Sequence, residues 1–151
     1  MIALAKRATP AAIAVLRQAT AHFPKRKKAS DGLLPSAAHV HQNPNSDHNS
    51  GYAVDITHDS VNGVDCVVAY QEFQKDPRVK YLIFAGKIWS KEKGSKVYTG
   101  PNKHHKHLHI SIKENCGEDT SPWFTWLPKP KVVNKVKANL PKPLPKKKEI
   151  K

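Results

Sequence analysis

The chain has 151 residues, 38% of them hydrophobic, and a formal net charge of +14. That length holds one domain with one modest core. No run of about 18 apolar residues occurs, which excludes a membrane-spanning helix. Cys66 and Cys116 lack the spacing of a metal pair, leaving two free thiols or one disulfide.

The charge is unevenly spread. Residues 128–151 carry nine lysines and one acid, Glu149, and so supply +8, with +6 left for residues 1–127. This predicts a mildly basic domain over 1–127 and an extended basic Lys/Pro-rich tail over 128–151. The expected partner is a polyanion or anionic surface: nucleic acid, wall polymer or phospholipid headgroups. The N-terminus makes a poor signal peptide, because Lys6 and Arg7 are followed by Pro10 and Arg17 with no small-residue cleavage site. Synthesis in the cytoplasm is expected, with any action outside the cell requiring release.

In chain order, residues 9–23 predict a helix. Thr9 suits its cap and Pro10 its first position, with Ile13, Leu16, Ala19/Thr20 and Phe23 as the apolar stripe. "KRKK" (25–28) reads as a solvated basic run. Residues 30–50, rich in Ser, Asn, Asp, Pro and His, read as a long irregular segment, and such loops are usually functional. "YAVDIT" (52–57) alternates as a strand, with Tyr52, Val54 and Ile56 on one face and Ala53, Asp55 and Thr57 on the other. Residues 65–75 predict a second helix, stopped near Asp76-Pro77. "VKYLIF" (79–84) predicts a buried strand, joined through Ala85-Gly86 to "KIWS" (87–90) as a hairpin. "HLHISI" (107–112) alternates again, with Leu108, Ile110 and Ile112 opposite His107, His109 and Ser111. This order predicts an α+β fold: a small, mostly antiparallel sheet with helices on one face.

The polar faces of two strands then need a reason. One presents Asp55 and the other two histidines, His107 and His109, pointing the same way. Zinc takes imidazole and carboxylate ligands, three at catalytic sites. His48 would reach the same place from a turn that contains Gly51, whose missing side chain permits a sharp bend. Each residue alone has an ordinary reading as a structural histidine or a salt-bridge acid. Their joint alternation favours a metal site.

"SDHNSGYAVD" (46–55) fits Ser-x-His-x-x-Gly-x-Ala-x-Asp, and "HLH" (107–109) fits a downstream His-x-His. Together they resemble the LAS-type zinc peptidases, the D-Ala-D-Ala carboxypeptidase and L-alanyl-D-glutamate endopeptidase superfamily, in a phage-associated branch. The resemblance covers residues 9 to 127 and leaves the tail outside. It implies one Zn2+ per chain held by His48, Asp55 and His109. It also implies that His107 assists proton transfer or stabilises the developing oxyanion, and that Ser46 supports the ligands from behind. Members with Glu-x-x-His place a glutamate where this chain has Lys106, so the proton acceptor is not assigned by the motif.

Other residues keep two readings each. Arg78 could fork onto a substrate carboxylate or serve as an ion-pair partner. His39 and His41 could line a cleft or be exposed loop residues. His58 and Asp59 could back the site or form a turn. Trp89, Trp123 and Trp126 suit core or cleft wall. His104 and His105, preceding the strand, read as mobile or substrate-facing. The expected function is a zinc-dependent peptidoglycan peptidase of endolysin type, with the tail attaching to anionic envelope polymers. The competing functions are a metal-dependent nuclease and a non-catalytic wall-binding protein with structural zinc.

Overall fold

The computed structural model describes residues 7–35, 40 and 45–130. The tail beyond Pro130, with His39 and His41, lies outside the described residues. Helix α1 spans Pro10–His22 and helix α2 spans Cys66–Phe73; the strands are β1 Ala53–Thr57, β2 Val79–Phe84, β3 Lys87–Ser90, β4 Gly94–Val97 and β5 His107–Ile112. The five strands form one sheet in the order β1-β5-β2-β3-β4, antiparallel throughout. The architecture is the expected α+β one. Strand β4, in a lysine-rich run without apolar alternation, was not foreseen; it forms because the Ala85-Gly86 turn and β3 offer it an edge.

Local chemistry sets each element. The Thr9 hydroxyl accepts the Ala12 N–H, and Pro10 opens α1. The buried ridge of α1 is Ala11, Val15 and Ala19, whereas Ile13 and Leu16, expected to lead the stripe, are half-buried at its flanks. Small residues on the ridge let the helix backbone approach the sheet, and the longer side chains close the edges. Asp65 accepts the N–H groups of Val67 and Val68 and starts α2, which buries Cys66, Ala69, Tyr70 and Phe73 at helical spacing. The β2–β3 turn has Ala85 and Gly86 at φ +51° and +78°, the sign that a two-residue hairpin requires.

The sheet has two unlike faces. Val54, Ile56, Leu82, Leu108, Ile110 and Ile112 form the buried apolar face, beneath the helices and Trp123 and Phe124. Trp123 is a core residue, and Trp89 and Trp126 pack partly buried against the same core. Cys66 and Cys116 are both free thiols; burial pushes Cys66 up to about 12, so it stays protonated.

Two cations are held inside the fold. Arg26, within the run read as solvated, is buried. Its guanidinium pairs with both oxygens of Asp31 (3.1 and 2.8 Å) and also reaches Thr20 Oγ1 and the Leu16 and Lys27 carbonyls. Asp31 in turn accepts the N–H and hydroxyl of Thr57, so the pair ties the irregular segment to β1. Arg78 is likewise buried and does not face a substrate. Its fork grips Asp76 (3.0 and 2.7 Å), its other donors take the carbonyls of Asp119, Ser121 and Pro122, and it stacks 3.6 Å from the Trp123 ring centroid. Those five acceptors use all five N–H donors, which corrects the substrate reading in favour of the structural one. Arg78→Ala should lower the unfolding free energy by about 3 kcal/mol, because it takes the cation from the half-buried Asp76 carboxylate and the donors from three backbone carbonyls. A urea titration checks this, with exposed Arg17→Ala expected to shift by no more than about 0.5 kcal/mol.

Candidate metal centre

The opposite face of the sheet carries the polar cluster. Asp55 and His109 are directly paired across β1 and β5, and His107 lies opposite Thr57 one alternation further along. Both strands therefore present their polar residues as the alternation predicts. His48 joins them from the turn before β1. Gly51, at φ +83°, makes that turn possible: a side chain there would meet the Arg7 carbonyl at 2.9 Å, and the Gly51 carbonyl accepts both the Thr9 N–H and the Thr9 hydroxyl. Ser46 accepts the His48 N–H at 3.2 Å, fixing the turn that carries the imidazole.

One ligand atom from each of His48, Asp55 and His109 lies within 4.8 Å of the others. His48 Nε2 and His109 Nδ1 both stand 3.2 Å from Asp55 Oδ1. A tetrahedral zinc about 2.1 Å from each ligand would separate ligand atoms by about 3.4 Å, so these spacings suit it. The hydrogen bonding of His48 makes a further test of fit. Its Nδ1–H donates to the Leu33 carbonyl at 2.7 Å, which leaves the Nε2 lone pair facing a carboxylate oxygen. Two acceptors at that distance need a proton or a cation between them.

The electrostatics follow from that conflict. Burial disfavours charge on His48, but hydrogen bonding and attraction to Asp55 outweigh it, and its pKa lies above the ordinary histidine value. Burial raises and the two imidazoles lower the pKa of Asp55; the imidazoles prevail, and it stays ionised well below the usual carboxylate range. His107 stands 3.6 Å from Asp55 Oδ2 and is shifted down, first by burial, so it is neutral at pH 7.

Several neighbours carry no signal in the motif. Leu33 contributes only its carbonyl. Gly32 exchanges both backbone hydrogen bonds with Asp55 (3.0 and 2.8 Å), pinning the segment that delivers Leu33. Ser111, two residues past His109 on the same face, meets His109 Nε2 at 2.8 Å. Tyr81 stacks on the His109 ring at 5.4 Å. His104, expected to be mobile or substrate-facing, is half-buried edge-on to His107 and His109, with its carbonyl accepting the Ala85 N–H and its pKa pushed down to about 4, chiefly by burial. Alternation alone would have flagged Ser111. His104 lies outside any strand and has no such marker.

The remaining candidates are placed elsewhere. His58 accepts the Cys66 N–H at the start of α2, and Asp59 caps the turn at Ser60–Asn62 and takes the Lys27 N–H. His105 is exposed, and Asp47 turns to Lys80 at 3.2 Å.

Fold and site thus define an α+β protein with a convergent His–Asp–His set on one face of an antiparallel sheet. The chain belongs to the family described as "VldE, C-terminal domain", which it matches over residues 5–109. The matched stretch contains His48, Asp55 and His107 and ends on His109. No curated protein and no solved structure gives a match.

Two outcomes test the centre. Asp55→Asn should abolish zinc binding, and Ser111→Ala should weaken it about 10-fold by freeing the His109 ring; competition with a chromogenic chelator measures both. Zinc affinity should rise with pH above 6.5, while His48 gives up its raised proton, and level off beyond its pKa. Titration calorimetry in buffers of different ionisation heat reads the released proton directly.

Proposed function

We propose that the protein is a zinc-dependent peptidoglycan peptidase that hydrolyses an amide bond of the stem peptide or cross-bridge. The observation that carries this reading is the convergence of His48, Asp55 and His109 on one point, with His107 beside it, where their motif resembles the LAS-type peptidases. The donor set of two imidazoles and one carboxylate is that of catalytic zinc, with a coordination position left for water or substrate.

Bound zinc supplies Lewis acidity, polarising the scissile carbonyl and acidifying the attacking water. The protein supplies orientation and proton handling. Leu33 fixes the His48 tautomer, and Ser111 and Tyr81 hold the His109 ring. His107, kept neutral by burial, has a lone pair to accept a proton and can return it to the leaving amine. Lys106, which stands where that glutamate would be, is exposed, and in this reading His107 takes the glutamate's role. His104 packs edge-on against the His107 ring at 4.8 Å. In this reading the enzyme is an endolysin released at lysis, with the lysine-rich tail attaching it to anionic envelope polymers.

Release of new amino groups from purified peptidoglycan is the direct measure. Activity should vanish with chelator, return with zinc and be absent in His109→Ala. His107→Ala should keep zinc and lose about 100-fold in turnover. A wild-type protein that releases nothing from several wall types while nicking DNA would be a nuclease instead.

A further inference from the structure

The register aligns one residue from every strand across the face that carries the metal centre. Asp55 pairs with His109, His109 with Ile83, Ile83 with Ile88, and Ile88 with Lys96. The row begins in the metal cluster, crosses an isoleucine floor and ends in a cation on the edge strand. Ile83 is buried, Ile88 half-buried and Lys96 exposed, so the row opens outward away from the cluster. Tyr98, two residues beyond Lys96, meets the His104 ring edge-on at 5.6 Å.

The charge along this half of the sheet is one-sided. Lys87, Lys91, Lys93, Lys96, Lys103 and Lys106 are all exposed, and Glu92 is the only acid between residues 77 and 113. Among the described residues none of these lysines forms an ion pair, whereas Lys75 and Lys80 do. From β5 to β4 is three strand spacings, about 14 Å. An extended peptide covers that in about four residues.

We infer that this row is the substrate furrow and that Lys96 receives a carboxylate of a short acidic peptide, about four residues from the bond cut. The inference rests on the peptidase reading and adds the substrate's charge and its direction across the strands. An apolar floor with one terminal cation suits a peptide that carries its charge at an end. A nucleic-acid strand, with a phosphate at every nucleotide, would set phosphates over the apolar side chains of Ile83 and Ile88.

The test is calorimetric binding to the full-length protein in chelator, where no turnover occurs. Two probes are compared: the tetrapeptide L-Ala-D-Glu-L-Lys-D-Ala with free carboxyls, and the same peptide with its carboxyls amidated. The wild type should prefer the free acid about fivefold, the size of an exposed ion pair. Lys96→Gln should erase the preference, and Lys91→Gln, outside the row, should keep it. Equal binding of both peptides by the wild type, or a preference that survives Lys96→Gln, would overturn the furrow while leaving the peptidase reading to the amino-group assay. A short oligothymidylate that displaces the peptide at lower concentration would overturn it in favour of nucleic acid. Absent amino-group release alongside an intact carboxylate preference would count against the peptidase reading alone.

Discussion

The pairing of Asp55 with His109 across β1 and β5 is the constraint on which the rest of the site depends. A strand alternates its faces with a period of two, so a slip of one residue would turn both side chains into the core. What prevents the slip is the other face: Val54 and Ile56 on β1, with Leu108 and Ile110 on β5, are fully buried beneath the helices. The burial that folds the domain thus also brings a carboxylate and an imidazole together. The third member arrives by separate means. His48 is held by a turn whose geometry comes from Gly51, the start of α1 and the Leu33 carbonyl.

The cluster holds groups whose protonation preferences conflict. In the metal-free protein, Asp55 is stabilised ionised and His48 is stabilised protonated. The Asp55 contribution is present above its ordinary pKa of 3.8 and is lost as pH falls through its depressed folded value. The His48 contribution has the opposite sign: it is full below 6.5 and is lost as pH rises through the raised folded value. The two overlap in mildly acidic solution, where His48 and Asp55 hold each other as an ion pair. A metal needs the same histidine neutral. His107 and His104, both shifted toward the neutral form, already meet that condition at the pH where His48 does not.

Most of the fold was legible because its elements carry strong local signals. Thr9-Pro10 marks the start of α1, Asp65 caps α2, and the alternation in 53–57 and 107–112 sorts both faces correctly. β4 was not legible: a strand of Gly, Ser, Lys and Val at an edge has no apolar period, and only pairing with β3 makes it one. Arg26 was missed for a related reason. A guanidinium within "KRKK" looks solvated until the fold brings Asp31, Thr20 and the Leu16 carbonyl around it. The ion-pair reading of Arg78, by contrast, was open from the start, and "DPR" alone could not choose between it and a substrate. In the site, side chains on strands could be read, but His104 and the Leu33 carbonyl could not. One is placed by a backbone bond to the β2–β3 turn, and the other acts through an atom that every residue possesses.

That last point bears on how such a site would vary over generations. Because Leu33 acts through its main chain, substitution of its side chain leaves the orienting group untouched. Gly32 is different: a side chain there would press within 3.2 Å of the Asp55 carboxylate. Selection at this place would act on the absence of an atom at position 32 and be blind to identity at position 33. The histidine would then look independent of the segment before it, although that segment decides which nitrogen it offers.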